Sequence, residues 1–303
     1  MLKFYVWART PCLLQFDKSS RAMRILNLYT VSLFLLYGIF NGLESSAILI
    51  RVSTLTGNDN SSCLLSNATT PCKTVIFALN ATKDSRNRNE TDFTFIIKDQ
   101  VYYLEKRINI IQKSPDKSII LKSSHSTGSI IYCVNISAGI EIGSRATEND
   151  RTRNMNFVNL QFVNCGPQFA AVVLIWNSVD INFTNCAFKH NSQAGINAFD
   201  SAVTINSCLF LNNTSNGNNT DEKFKEGLTS AGGGAAFLFR DAETLSVRIT
   251  NSNFTLNSAV TNDSTDFISP SSGVSHFAPA GGGLLVVFLQ KATLCHVVTK
   301  YTI

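Results

Sequence analysis

At 303 residues with 44% apolar side chains, the chain can build one large globular domain or two ordinary ones. Charged residues make up only 16%. Five of the 26 cations and two of the 21 anions precede residue 47, which leaves 21 against 19 and excludes the clustered basic surface of a nucleic-acid binder.

Residues 1–47 read as an N-terminal extension and an export signal. The stretch ILNLYTVSLFLLYGIFNGL, residues 25–43, carries no charge and follows Arg21 and Arg24. Ser45 and Ala47 are spaced like a signal-peptidase site. Two readings stay open: a cleaved signal peptide, or an uncleaved signal anchor that would tether the chain to a membrane through residues 25–43. Gly38, Asn41 and Gly42 weaken a span and favour cleavage. In either case the positive flank stays cytosolic. The expected location is secreted, or on the extracellular face of the plasma membrane.

The sequons suit that compartment. Asn60, Asn67, Asn80, Asn89, Asn135, Asn182, Asn212, Asn213, Asn218, Asn253 and Asn262 each begin Asn-x-Ser/Thr. All except Asn212 and Asn213 are taken as glycosylation candidates. Cys63 and Cys72 bracket the polar stretch SCLLSNATTPC and are the disulfide candidate. No Cys-x-x-Cys and only four His argue against a metal.

Residues 48–152 are assigned to an N-terminal cap and first irregular rungs. TVIFALNAT (74–82) reads as a short helix covering the open end of a barrel. FTFIIKDQVYYL (93–104), SIILKSSHSTGSIIYC (118–133) and GIEIGS (139–144) supply short β-runs.

Residues 153–290 repeat. NCAFKHNS (185–192), SCLFLNNT (207–214) and NSNFTLNS (251–258) share one pattern. Asn164-Cys165 is read as a weaker copy of Asn185-Cys186. The steps Val158-x-Leu160, Val179-x-Ile181, Val203-x-Ile205 and Val247-x-Ile249 are aligned as equivalent strands. Units of about 22 residues are too short for a βα unit. They suit one turn of an all-β, right-handed parallel β-helix. Phe188, Phe210 and Phe254 then form an interior column, and Asn191, Asn213 and Asn257 an amide ladder. Asn182 and Asn253 point outward on this scheme, whereas Asn213 stays bare. Two polar loops, 215–230 and 260–279, are inserted at the same place in successive rungs. Residues 291–303 read as the start of a further, truncated rung.

The Phe-x-x-Asn steps, with Gly233-Gly234-Ala235 and Gly282-Gly283-Leu284, resemble the repeats of chlamydial polymorphic outer-membrane proteins. They are also similar to pectin-lyase-like β-helix proteins of simple animals, whose N-terminal cap residues 52–79 resemble. The resemblance implies a right-handed β-helix; the bacterial relatives are surface adhesins.

Enzymes of this architecture need carboxylates clustered on an outer strand. The outward rows are read as Asn159, Asp180, Thr204, Arg248 and as Gln161, Asn182, Asn206, Thr250; neither is an acid cluster. The best catalytic candidates are Asp200, Arg240 and Asp241, each just after an apolar strand, where turn residues are common. The expectation is a non-enzymatic extracellular protein without a cofactor. It would act in adhesion, recognition or matrix structure on an extracellular protein or carbohydrate. Two alternatives are a polysaccharide lyase or glycosidase, and a fragment of a membrane-tethered receptor.

Overall fold

A computed structural model of the chain describes residues 47–65, 67–84, 92–111, 118–134, 139–144, 152–166, 171–216, 233–239, 246–260, 283–288 and 297–300. The export segment 25–43 lies outside the described residues, as do almost all of both inserted loops.

The chain is a parallel β-helix. Successive strands fall in turn on three sheets, here A, B and C, apart from the short pair Thr214–Asn216 and Ser258–Val260, which forms a two-stranded sheet of its own. One rung shows the path: Thr152–Val158 lies in sheet A, Leu160–Val163 in B and Ala171–Trp176 in C. Ser178–Thr184 then returns to sheet A beside the strand where the rung began, paired in parallel. Sheet A runs from Ile48–Val52 through eight strands to Val297–Lys300. Sheets B and C have six strands each. Neighbouring rungs sit about 4.8 Å apart, as hydrogen-bonded strands must.

Alternation decides which side chains enter. From sheet A, Met155 and Phe157, Ile181 and Phe183, Val203 and Ile205, and Val247 and Ile249 point inward and are buried. Phe162, Phe188 and Phe210 enter from sheet B, and Ile175, Ala198 and Phe237 from sheet C. No rung could bury such a face alone, so the core exists only where rungs stack.

The register differs from that read in the sequence. Val203 pairs with Ile181, not with Val179, and Ile205 pairs with Phe183. Val158-x-Leu160 is no equivalent step either: Val158 ends a sheet A strand opposite Thr184, and Leu160 already begins a strand of sheet B. Asp180 has a positive φ of 58°, and the chain spends one more residue entering this strand than it does after Asp200. The copy of the motif before Asn185 is therefore Asn159-Leu160-Gln161-Phe162, not Asn164-Cys165. Rungs are not uniform: equivalent residues lie 26 apart between Asn156 and Asn182, 22 apart between Cys186 and Cys208, and 44 apart across the first long loop.

Sharp corners explain the Asn content. Asn159, Asn185, Ser207 and Asn251 all turn the chain from sheet A to sheet B with φ of 52–56°. Asn164, His190, Asn212 and Leu256 do the same at the far edge of sheet B. Left-handed backbone costs most L-residues about 1–2 kcal/mol, and Asn tolerates it best after Gly.

The N-terminal end is covered. Helix Val75–Asp84 buries Val75, Ala78, Leu79 and Thr82, the i, i+3, i+4, i+7 stripe of an amphipathic helix. Asp59 accepts the Lys73 and Thr74 amides at 2.7 and 2.9 Å, just ahead of its first turn. The Tyr102 hydroxyl oxygen accepts the Val75 amide at 3.0 Å. Burial pushes this phenol up to about 12. Cys63 and Cys72 are bridged, and Cys72 lies against Val52 of the first strand.

Candidate binding face

The interior is occupied by ladders. Phe162, Phe188, Phe210 and Phe254 stack in one column, with centroids 5.1, 4.9 and 4.4 Å apart and planes within 13° of parallel. Gly195 and Gly234 make room for it: a Cβ on Gly195 would stand 2.8 Å from the Phe210 ring, and one on Gly234 2.7 Å from Phe254. Beside it, Asn213 Nδ2 donates to Asn257 Oδ1 at 2.8 Å and to Phe188 O at 3.0 Å. Its Oδ1 accepts Asn191 Nδ2 at 2.7 Å. At the lower end Cys165 takes the ladder position, its amide donating to Asn191 Oδ1 at 2.9 Å. Its sulfur bridges to Cys133. A disulfide thus succeeds the amides where the ladder stops. Cys186 and Cys208 stay free and buried in a second stack, where Cys208 Sγ accepts the Cys186 amide and Ser252 Oγ accepts that of Cys208. Burial pushes the Cys186 thiol well up.

On the outside of sheet A the true rows are Asn156, Asn182, Thr204, Arg248 and Val158, Thr184, Asn206, Thr250. Asp180 and Asn159 belong to neither: Asn159 occupies the corner between sheets A and B, and Asp180 is a left-handed residue inside the strand Ser178–Thr184. Gln161 lies in sheet B. Asp200 is buried at the corner between sheets C and A, at φ 45°, and its amide donates to Leu238 O at 2.8 Å. Arg240 and Asp241 lie outside the described residues. Among the described residues no three His, Cys, Asp or Glu gather as a metal group.

Over the strands Ala171–Trp176, Ala194–Phe199 and Ala235–Phe239 the outer face of sheet C is closed to solvent. Leu174, Trp176, Phe199, Ala236 and Leu238 are buried although they stand apart from the core cluster. Trp176 stacks on Phe199 at 4.1 Å and donates its indole N–H to Glu141, which also pairs with Arg107.

Sheet B is different. Of the seven large apolar side chains exposed among the described residues, Val101 (37%), Tyr103 (50%) and Tyr132 (36%) lie on its first two strands, and Val134 (58%) directly follows the second. These four side chains gather on one face of the coil rather than being scattered. Tyr103 and Tyr132 pack edge to face at 6.1 Å. The Tyr132 hydroxyl accepts Asn164 Nδ2 at 3.0 Å from the next rung, which holds its ring in place. Beyond them, Lys189 Nζ donates to Gln161 Oε1 at 3.0 Å, and Gln161 Nε2 to Thr127 O. The two outward rows, from Val101 to Asn253 and from Tyr103 to Thr255, hold no carboxylate. The sequence reading missed this face. Its signal was the alternation in Val101-Tyr102-Tyr103-Leu104, where Tyr102 enters and Tyr103 leaves.

Asn60, Asn67, Asn80, Asn212 and Asn253 are exposed. Asn182 is half-buried, and its amide nitrogen donates to both Asn156 Oδ1 and Asp180 O at 3.1 Å. Asn89, Asn135, Asn218 and Asn262 lie outside the described residues.

Two disulfides fit an oxidising compartment. Among the described residues no helix is long and apolar enough to cross a membrane. No protein-family model, curated protein or solved structure matches the chain.

Proposed function

We propose that the chain is a non-enzymatic extracellular protein that works in adhesion or recognition, and that the outer face of sheet B makes the contact. The tyrosine patch carries this reading: a flat, pre-ordered surface combining exposed aromatic rings with amides and one cation. Tyr and Asn supply contact area and adaptable hydrogen bonds at low entropic cost, which suits a protein or carbohydrate partner. Both bridges and the sequons support export through a glycosylating pathway, with residues 25–43 as cleaved signal or membrane tether. The parallel coil and its left-handed corners support kinship with right-handed, pectin-lyase-like repeat proteins.

Beads coated with the full chain test the reading. Saturable retention on cell surfaces or extracellular matrix, unchanged by Asp200→Asn, is expected. Absence of retention, together with release of sugar from polysaccharide that Asp200→Asn abolishes, would replace it with the enzymatic one.

A further inference from the structure

The pair Asn212-Asn213 contains two overlapping sequons, Asn212-Asn213-Thr214 and Asn213-Thr214-Ser215. The fold gives the two side chains opposite fates. Asn212 is an exposed corner residue at φ 52°, and its amide nitrogen has one polar neighbour, His190 Nδ1 at 3.1 Å. Asn213 is wholly buried, and both protons of its amide nitrogen are committed, one to Phe188 O and one to Asn257 Oδ1.

N-glycosylation removes one of those protons. The Nδ2–C1 bond forms as the C1–O bond to a lipid-diphosphate oligosaccharide donor breaks; the diphosphate leaves and one amide proton is released. Asn212 can give up a proton and keep its contact with His190. Asn213 cannot, since a glycosylated amide has only one N–H for two ladder acceptors and no room for a sugar. The transferase meets the chain before it folds, so burial alone does not protect Asn213.

We infer that Asn212 is a glycan acceptor whose occupancy guards Asn213. Consecutive Cα atoms are about 3.8 Å apart, too close for two bulky oligosaccharides to be installed side by side. Asn212 has the advantage twice. Its sequon is complete one residue earlier in synthesis, and its hydroxyl residue is Thr214, a better acceptor partner than the Ser215 that serves Asn213. A glycan on Asn212 then projects from the corner of sheet B and leaves the ladder intact. The inference rests on the export reading.

The test is glycopeptide mass spectrometry and secretion yield of the full chain from a eukaryotic secretory host. Asn212→Gly removes the guard while suiting the positive φ. It is expected to cut secretion several-fold and to give intracellular chains glycosylated on Asn213. Adding Ser215→Ala, which removes only the Asn213 sequon, is expected to restore secretion. Wild-type secretion of Asn212→Gly with Asn213 bare would overturn the inference. So would a bare Asn212 in wild-type chains that carry glycans at Asn60, Asn67 or Asn80. Chains bearing no glycan anywhere would overturn the export reading and the inference with it.

Discussion

Asn213 Nδ2 lies 2.8 Å from Asn257 Oδ1 although 44 residues separate them. The long loop between them does not disturb the contact, because each rung is positioned by its neighbours rather than by its own connections. Loop length costs little once the ends are fixed.

The ladder should therefore be sensitive to single atoms. Asn213→Ala leaves Phe188 O without its side-chain donor, and both the amide and the side-chain nitrogen of Asn191 without their acceptor. The expected cost is about 3 kcal/mol, since stranded buried groups cost roughly 1–3 kcal/mol each with partial relaxation. Thermal melts of the purified chain should show it. A loss within the scatter typical of surface substitutions would mean that the ladder is not formed.

The disulfide at the foot of the ladder makes a paired prediction. Cys133 and Cys165 are 32 residues apart, so in the chain-entropy account their bridge contributes about 3–4 kcal/mol. Cys133→Ser with Cys165→Ala should lose this in full. Cys133→Ser with Cys165→Asn should lose about 1 kcal/mol less, because the new amide can donate to Asn191 Oδ1 and extend the ladder by one rung. Chemical denaturation distinguishes the two; equal losses would refute the extension.

High pH should loosen the cap. Tyr102 stays neutral in the folded chain up to about 12, against an ordinary 10. Its contribution is complete below pH 10 and is lost as pH rises through 10 to 12, because the unfolded chain ionises first. Two pH units correspond to about 3 kcal/mol. Tyr102→Phe should lower stability by about 1 kcal/mol at neutral pH, where the acceptor for Val75 is missing, and should flatten the decline between pH 10 and 12. A decline of equal steepness in both proteins would assign it to other groups.

The sheet A register can be tested by cross-linking. Asn182 stands opposite Thr204 and two residues away from the partner of Asn206. A short bis-thiol reagent should join Asn182→Cys to Thr204→Cys at least several-fold faster than Asn182→Cys to Asn206→Cys. The reverse order would restore the register read from the sequence.

That register shows why sequence takes the reading only part of the way. Phe188, Phe210 and Phe254 are legible because each keeps its Asn three residues on, so both ladders can be seen without any structure. Phe162 belongs to the same column but was hidden by two changes at once: a 26-residue rung and Cys165 in place of the ladder Asn. Val179 looked equivalent to Val203 because side-chain identity is visible and a left-handed Asp180 is not. The Cys133–Cys165 bridge depends on register across a whole rung, which spacing alone does not give. The tyrosine patch was out of reach for the same reason. Tyr103 and Tyr132 lie on one face only after their strands are known to be neighbours.

The contact role of that patch is the account's central claim, and one titration tests it most directly. Binding of the full chain to the surface that retains it should be compared with that of Tyr103→Ala/Tyr132→Ala. Both side chains are half out of the fold, so the melting temperature should hardly change. Aromatic anchors of this kind contribute about 1–2 kcal/mol each when truncated at an interface, so affinity should fall at least about tenfold. Undiminished affinity in a stably folded double variant would contradict the claim and move the binding site off sheet B.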